Sequence, residues 1–135
     1  MQSWIKVWRR GFSKVLSTPG LAALRVALET NDPRLVQGAT TSPPPLQCVK
    51  DWPVEAADAI GFCGWQGDGL KTIIEVEEHF AKACFDADQL LGEPAECRFW
   101  LNWYDDSPRD EMRRELLAEV VRELELREYE MEVVR

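Results

Sequence analysis

PPPLQCVKDWPVEAADAIGFCGWQGDGL, residues 43–70, decides how the rest of this 135-residue chain is read. Pro43, Pro44 and Pro45 lack the amide N–H that a helix interior or a central strand requires. Gly61, Gly64, Gly67 and Gly69 then interrupt whatever follows. The stretch cannot be all helix, whereas the segments on both sides carry helical periodicity. The expectation is a mainly α, compact single-domain bundle of about five helices, with a Pro/Gly/Trp-rich irregular stretch in its middle.

Inside the stretch, residues 39–53 read as a Pro-rich connector. A polyproline ligand for an SH3-like domain would want a PxxP spacing with a flanking basic residue, and the sequence has neither. Val54 to Cys63 reads as a short helix, with Ala56, Ala57, Ala59, Ile60 and Cys63 as a small-residue face. Gly64 to Gly69 reads as a compact loop around Trp65. Its glycines match neither GxGxxG after a strand nor GxxxxGK[ST], and Asp68 and Glu75 would repel a phosphate.

Towards the N-terminus, Ser3 to Leu16 form an amphipathic helix. Trp4, Ile5, Trp8, Phe12, Val15 and Leu16 share one face, and Lys6, Arg9, Arg10, Ser13 and Lys14 share the other. A helix of this length is marginal alone in water, so residues 1–17 either lie on the acidic body or act as a detachable arm for a partner groove or an anionic surface. Thr18-Pro19 starts a second helix running to Asn31. Asp32-Pro33 repeats the device and predicts a short helical turn through Leu35 and Val36, ended by Gly38.

Towards the C-terminus, Thr72-x-x-Glu75 is a capping box, and Gly92 ends the helix that it opens. Ile73, Val76, Phe80, Ala83, Cys84, Ala87, Leu90 and Leu91 form its apolar face. His79 follows Glu75 by one turn and reads as a boundary histidine bonded to it; a carboxylate-bridged metal site would need a second such motif. Glu93-Pro94 predicts a helix through Tyr104, apolar nearly all the way round. Ser107-Pro108 opens the last long helix, with Met112, Leu116, Leu117, Val120, Val121 and Leu124 buried. Beyond Leu124 the pattern turns to near alternation, read as helix followed by disorder. Residues 54–128 thus make an acidic helical body.

Charge narrows the function classes. Lys plus Arg against Asp plus Glu is six to two in residues 1–34, one to four in 35–70 and nine to eighteen in 71–135. A basic head on an acidic body is not the broad basic footprint of a nucleic-acid binder; nucleic acid could be met only through residues 1–17, by Lys6, Arg9, Arg10 and Lys14. Cys48, Cys63, Cys84 and Cys97 include no CxxC pair, and His79 is the single histidine. That pattern names no zinc site and no cofactor. A nucleophilic cysteine would have to use His79 with Cys48 or Cys63, of which Cys63, at a helix end, is the better candidate. Asp105, Asp106 and Asp110 could chelate a hard cation but serve equally as helix N-terminal acids. With no membrane-length apolar run, the expectation is a cytoplasmic protein with reduced thiols.

These features point to a non-enzymatic protein–protein interaction module, an accessory or adaptor subunit, with homo-oligomerisation open. Aromatic side chains dominate binding hot spots. The expected partner-binding residues are therefore Trp52, Trp65, Phe99, Trp100 and Trp103. The alternatives are an anionic-surface binder acting through residues 1–17 and a small cysteine- or metal-dependent enzyme.

Overall fold

The computed structural model describes residues 3–45 and 51–133, and these contain six helices and one two-stranded sheet. Cys48 lies outside the described residues. Helix α1 (residues 3–15) is α-helical over Ser3–Val7 and Ser13–Val15, with a π-helical turn over Trp8–Phe12 between them. α2 is Thr18–Thr30, α3 (residues 59–67) joins Ala59–Phe62 to a π-helical turn Cys63–Gly67, α4 is Ile73–Leu91, α5 is Arg98–Asp106 and α6 is Arg109–Val133. Strands β1 (Thr41–Ser42) and β2 (Ala56–Ala57) pair antiparallel, with Thr41 opposite Ala57.

α1 sits against α4, α5 and α6 rather than standing apart. The expected stripe of Trp4, Trp8, Phe12 and Leu16 is buried, and so are Val7, Gly11 and Ser13, because helices cover α1 on more than one side. Gly11 is a contact, not a defect. A Cβ there would come within 3.2 Å of both Ala87 and Leu91 on α4, so the missing side chain lets the two helices close. From α5, Trp100 is the hub of an aromatic cluster. Its ring centroid lies 5.0 Å from Tyr104, 5.2 Å from Phe12 and 5.9 Å from Trp8. Trp103 extends the cluster by stacking on Trp4 at 3.7 Å.

Local signals hold at most helix ends. Thr72 and Glu75 form the reciprocal capping box, and Gly92 closes α4 at φ 83°. Ser17, one residue before the expected cap, accepts the Gly20 N–H and opens α2; Asn31 ends it in the left-handed region at φ 52°. α6 runs to Val133, past the point where the sequence pattern suggested fraying.

Four expectations about elements fail, the first two because long-range pairing overrides local preference. No helical turn forms over residues 33–36; Leu35 instead bridges Ala57, and Val36 N–H donates to the Ala57 carbonyl. Residues 56–57 are strand, so the helix begins only after Asp58, which caps it by accepting the Gly61 N–H at 2.8 Å. The anticipated Gly64–Gly69 loop is mostly the π-helical end of α3. Gly67 there lies against Gly20 of α2 so closely that a Cβ would strike backbone. α5 also starts later than Pro94, because residues 92–97 form a turn whose Ala95 and Cys97 N–H groups donate to the Asp88 carboxylate.

Candidate functional site

The expected partner residues separate by burial. Trp100 is fully buried and has no surface to offer a partner, which corrects its place in the candidate set. An apolar-all-round helix such as α5 has to bury one of its aromatics most deeply, and Trp100 faces Trp8, Phe12 and Tyr104 at once. Trp103 is half-buried on Trp4. Phe99 points outward at 37% exposure, with the Arg98 guanidinium 4.5 Å from its ring centroid.

Trp65 resolves as an intermediate case. One edge meets Phe62 at 5.8 Å between centroids, and the Arg34 guanidinium lies 5.3 Å from its ring. Arg34 is itself held by Asp32, whose carboxylate that hydrogen bond keeps below the usual range. Trp65 is thus partly buried against the core, with Arg34 over its ring.

Trp52 is different: it is 56% exposed, yet its backbone is fixed. The Trp52 carbonyl accepts the Ile73 N–H at 2.9 Å, Pro53 bridges Thr72, and the Val54 N–H donates to the Lys71 carbonyl at 3.0 Å. Val54 is buried beneath it. The receiving segment is the capping box of α4, where the Thr72 and Lys71 N–H groups hold the Glu75 carboxyl below its usual range. Asp51 and Glu55, close in sequence, are exposed. The result is a large aromatic displayed from a pinned backbone with acidic neighbours.

The basic face of α1 is largely committed to α6. Arg9 forms a bidentate pair with Glu119, Nε to Oε1 at 2.8 Å and Nη2 to Oε2 at 2.9 Å, and this bond raises the Arg9 pKa. Lys14 Nζ reaches Glu123 at 3.3 Å. Of the four expected cations, Lys6 and Arg10 remain exposed and unpaired among the described residues. An anionic partner would have to displace protein carboxylates from Arg9 and Lys14.

The groups considered for catalysis are poorly placed for it. Burial, followed by the charges of Asp68 and Asp58, pushes the Cys63 thiol well above its usual range, which opposes formation of the nucleophilic thiolate. His79 does not bond Glu75, whose carboxylate is taken by the cap. It faces Asp68 instead, Nε2 to Oδ2 at 3.7 Å, and burial lowers its pKa despite that neighbour. The ring is neutral at pH 7, so the contact is not an ion pair. Asp105 accepts the Gly38 N–H and Asp110 pairs with Arg113. Among the described residues no group of three His, Cys, Asp or Glu side chains is placed to hold a metal ion, and no helix is long and apolar enough to cross a membrane.

Asp58 and the long-range contacts of Arg127 escaped the sequence reading, which had placed Arg127 only opposite Glu123, where it does pair. Asp58 is buried, and burial with the charges of Asp105 and Glu77 raises its carboxyl well above the usual range. Its signal was the Asp before a short apolar run, which is a cap pattern. Arg127 on α6 donates to the Ser13 and Leu16 carbonyls at 2.7 Å and to Thr18 Oγ1 at 2.9 Å, joining the end of α1 to the start of α2. No spacing in the sequence announces a contact across more than a hundred residues. No family model, curated protein or solved structure matches the chain.

Proposed function

We propose that the protein is a non-enzymatic interaction module, an accessory or adaptor subunit, that engages a protein partner through Trp52. The observation that carries this is a tryptophan 56% exposed on a backbone already fixed by hydrogen bonds to α4. A large amphipathic ring presented without a further ordering cost is the usual anchor of a binding hot spot. Phe99 and the open edge of Trp65 are further aromatic surface on the same molecule. The anionic-surface and enzymatic readings rank lower, because Arg9 and Lys14 already neutralise Glu119 and Glu123, and burial keeps Cys63 protonated.

The test uses tagged full-length chain, Trp52→Ala and, as a control, Val26→Ala, which truncates another exposed apolar residue. Each is recovered from the native cells and its bound proteins are quantified by mass spectrometry. Trp52→Ala is expected to reduce specific partner recovery by about tenfold or more, as for hot-spot residues, with its helical circular dichroism unchanged. Val26→Ala should behave as wild type. Undiminished recovery with Trp52→Ala would place the contact elsewhere.

A further inference from the structure

Cys84 and Cys97 are thirteen positions apart and belong to different elements, yet the fold brings them side by side. Cys84 lies on the fourth turn of α4, and Cys97 immediately precedes α5. Asp88, one helical turn beyond Cys84 on the same face of α4, brings Cys97 to that face, where each thiol is near enough to act on the other's ionisation. Asp88 also fixes the backbone beneath the pair, accepting the Cys97 N–H at 2.8 Å and the Ala95 N–H at 2.9 Å. Cys84 is half-buried and Cys97 is 8% exposed, so Cys84 is the more accessible of the two to a reagent. Both are free thiols in this structure, as is Cys63, which is fully buried.

We propose that Cys84 and Cys97 form a thiol–disulfide site, closing into an intramolecular disulfide that staples the end of α4 to the start of α5. The oxidant is a small-molecule disulfide, R–S–S–R. The Cys84 thiol loses its proton to solvent, and its thiolate attacks one sulfur of the reagent, forming Cys84–S–S–R and expelling R–S⁻. The Cys97 thiolate then attacks the Cys84 sulfur and expels the second R–S⁻. Two protein thiols are oxidised, and one R–S–S–R is reduced to two R–SH. Burial raises the pKa of both thiols, so little thiolate is present at neutral pH and the first step is slow. The second step is intramolecular between neighbouring groups, so the mixed disulfide does not accumulate.

The experiment treats the folded full chain with oxidised glutathione at pH 8.5. Intact mass and non-reducing peptide mapping then follow each cysteine. The expected product has lost two hydrogens and gives a linked peptide joining Cys84 to Cys97, with no glutathione retained on either residue. Its Tm should rise by about 5–10 °C, as for closure of a short loop, and return to the starting value with dithiothreitol. Cys97→Ser should instead retain glutathione on Cys84. In denaturant, the same treatment should scatter linkages among the four cysteines. The proposal is overturned by stable glutathione on Cys84 of the wild type. It is equally overturned by Cys84–Cys97 linkage no more frequent in the folded than in the denatured chain, or by no reaction at either thiol.

Discussion

Asp58 caps α3 from a fully enclosed position, and the charges that act on it, those of Asp105 and Glu77, share its sign. Its folded-state pKa is therefore raised above the unfolded value of about 4. Below that value both states are protonated, and the group costs nothing. As pH rises above about 4 the unfolded chain releases its proton while the folded chain keeps it, so stability falls until the raised folded pKa is passed. Asn also serves as an N-cap acceptor without ionising. Asp58→Asn should match wild type in urea melts near pH 4 and become progressively more stable than wild type towards pH 8. A constant gap at all pH values would mean that Asp58 titrates normally. At this scale the sequence marked the right residue types but could not rank them. Trp52 and Trp100 look alike in composition, and only the tertiary packing makes one a surface group and the other the hub of the core.

Elements whose boundaries depend on neighbours in the chain were legible. The Thr72/Glu75 box and Gly92 bracket α4 because caps act within one helical turn. Asp32-Pro33 and the Ala56–Ala57 pair misled because Arg34, Val36 and Ala57 exchange backbone hydrogen bonds with each other, a gain that no local propensity registers. The Arg127 clamp belongs to the same class. It satisfies carbonyls at the end of α1 and pairs with the nearly buried Glu123, Nε to Oε1 at 3.2 Å. Arg127→Met keeps most of the stem but leaves those acceptors unsatisfied, and the expected loss is about 3 kcal/mol in urea unfolding. Arg122→Met, on the exposed side of the same helix, should stay within about 0.5 kcal/mol of wild type. Ending the chain after Glu128 removes exposed Tyr129, Met131 and Val133 and should cost less than about 1 kcal/mol. A large loss would show that the end of α6 packs on something in solution.

For the whole molecule, the uneven charge of the sequence becomes an internal match: a basic α1 lies along an acidic α6. Residues 3–16 also place Trp4, Val7, Trp8, Phe12 and Leu16 in the common core. Removing residues 1–17 should therefore abolish cooperative thermal unfolding and expose surface that binds a hydrophobic dye. An intact, sharp transition in the truncated chain would instead identify α1 as a separable arm. The amphipathic pattern was plain in the sequence, but which surface received it was not, since a groove in a partner and a groove in the same chain ask for the same stripe.

The Arg9–Glu119 and Arg127–Ser13 contacts join residues 110 and 114 positions apart. On the ribosome, at roughly 5–20 residues per second, the tryptophan-bearing face of α1 waits on the order of ten seconds before α4 and α5 emerge to cover it, and its basic face waits longer for α6. During that interval Trp4, Trp8 and Phe12 form an uncovered apolar surface flanked by positive charge, the kind of segment that holdase chaperones occupy. Folding of these residues therefore waits for α6 to emerge, and their yield in a cell should depend on chaperone supply more steeply than their stability alone would suggest.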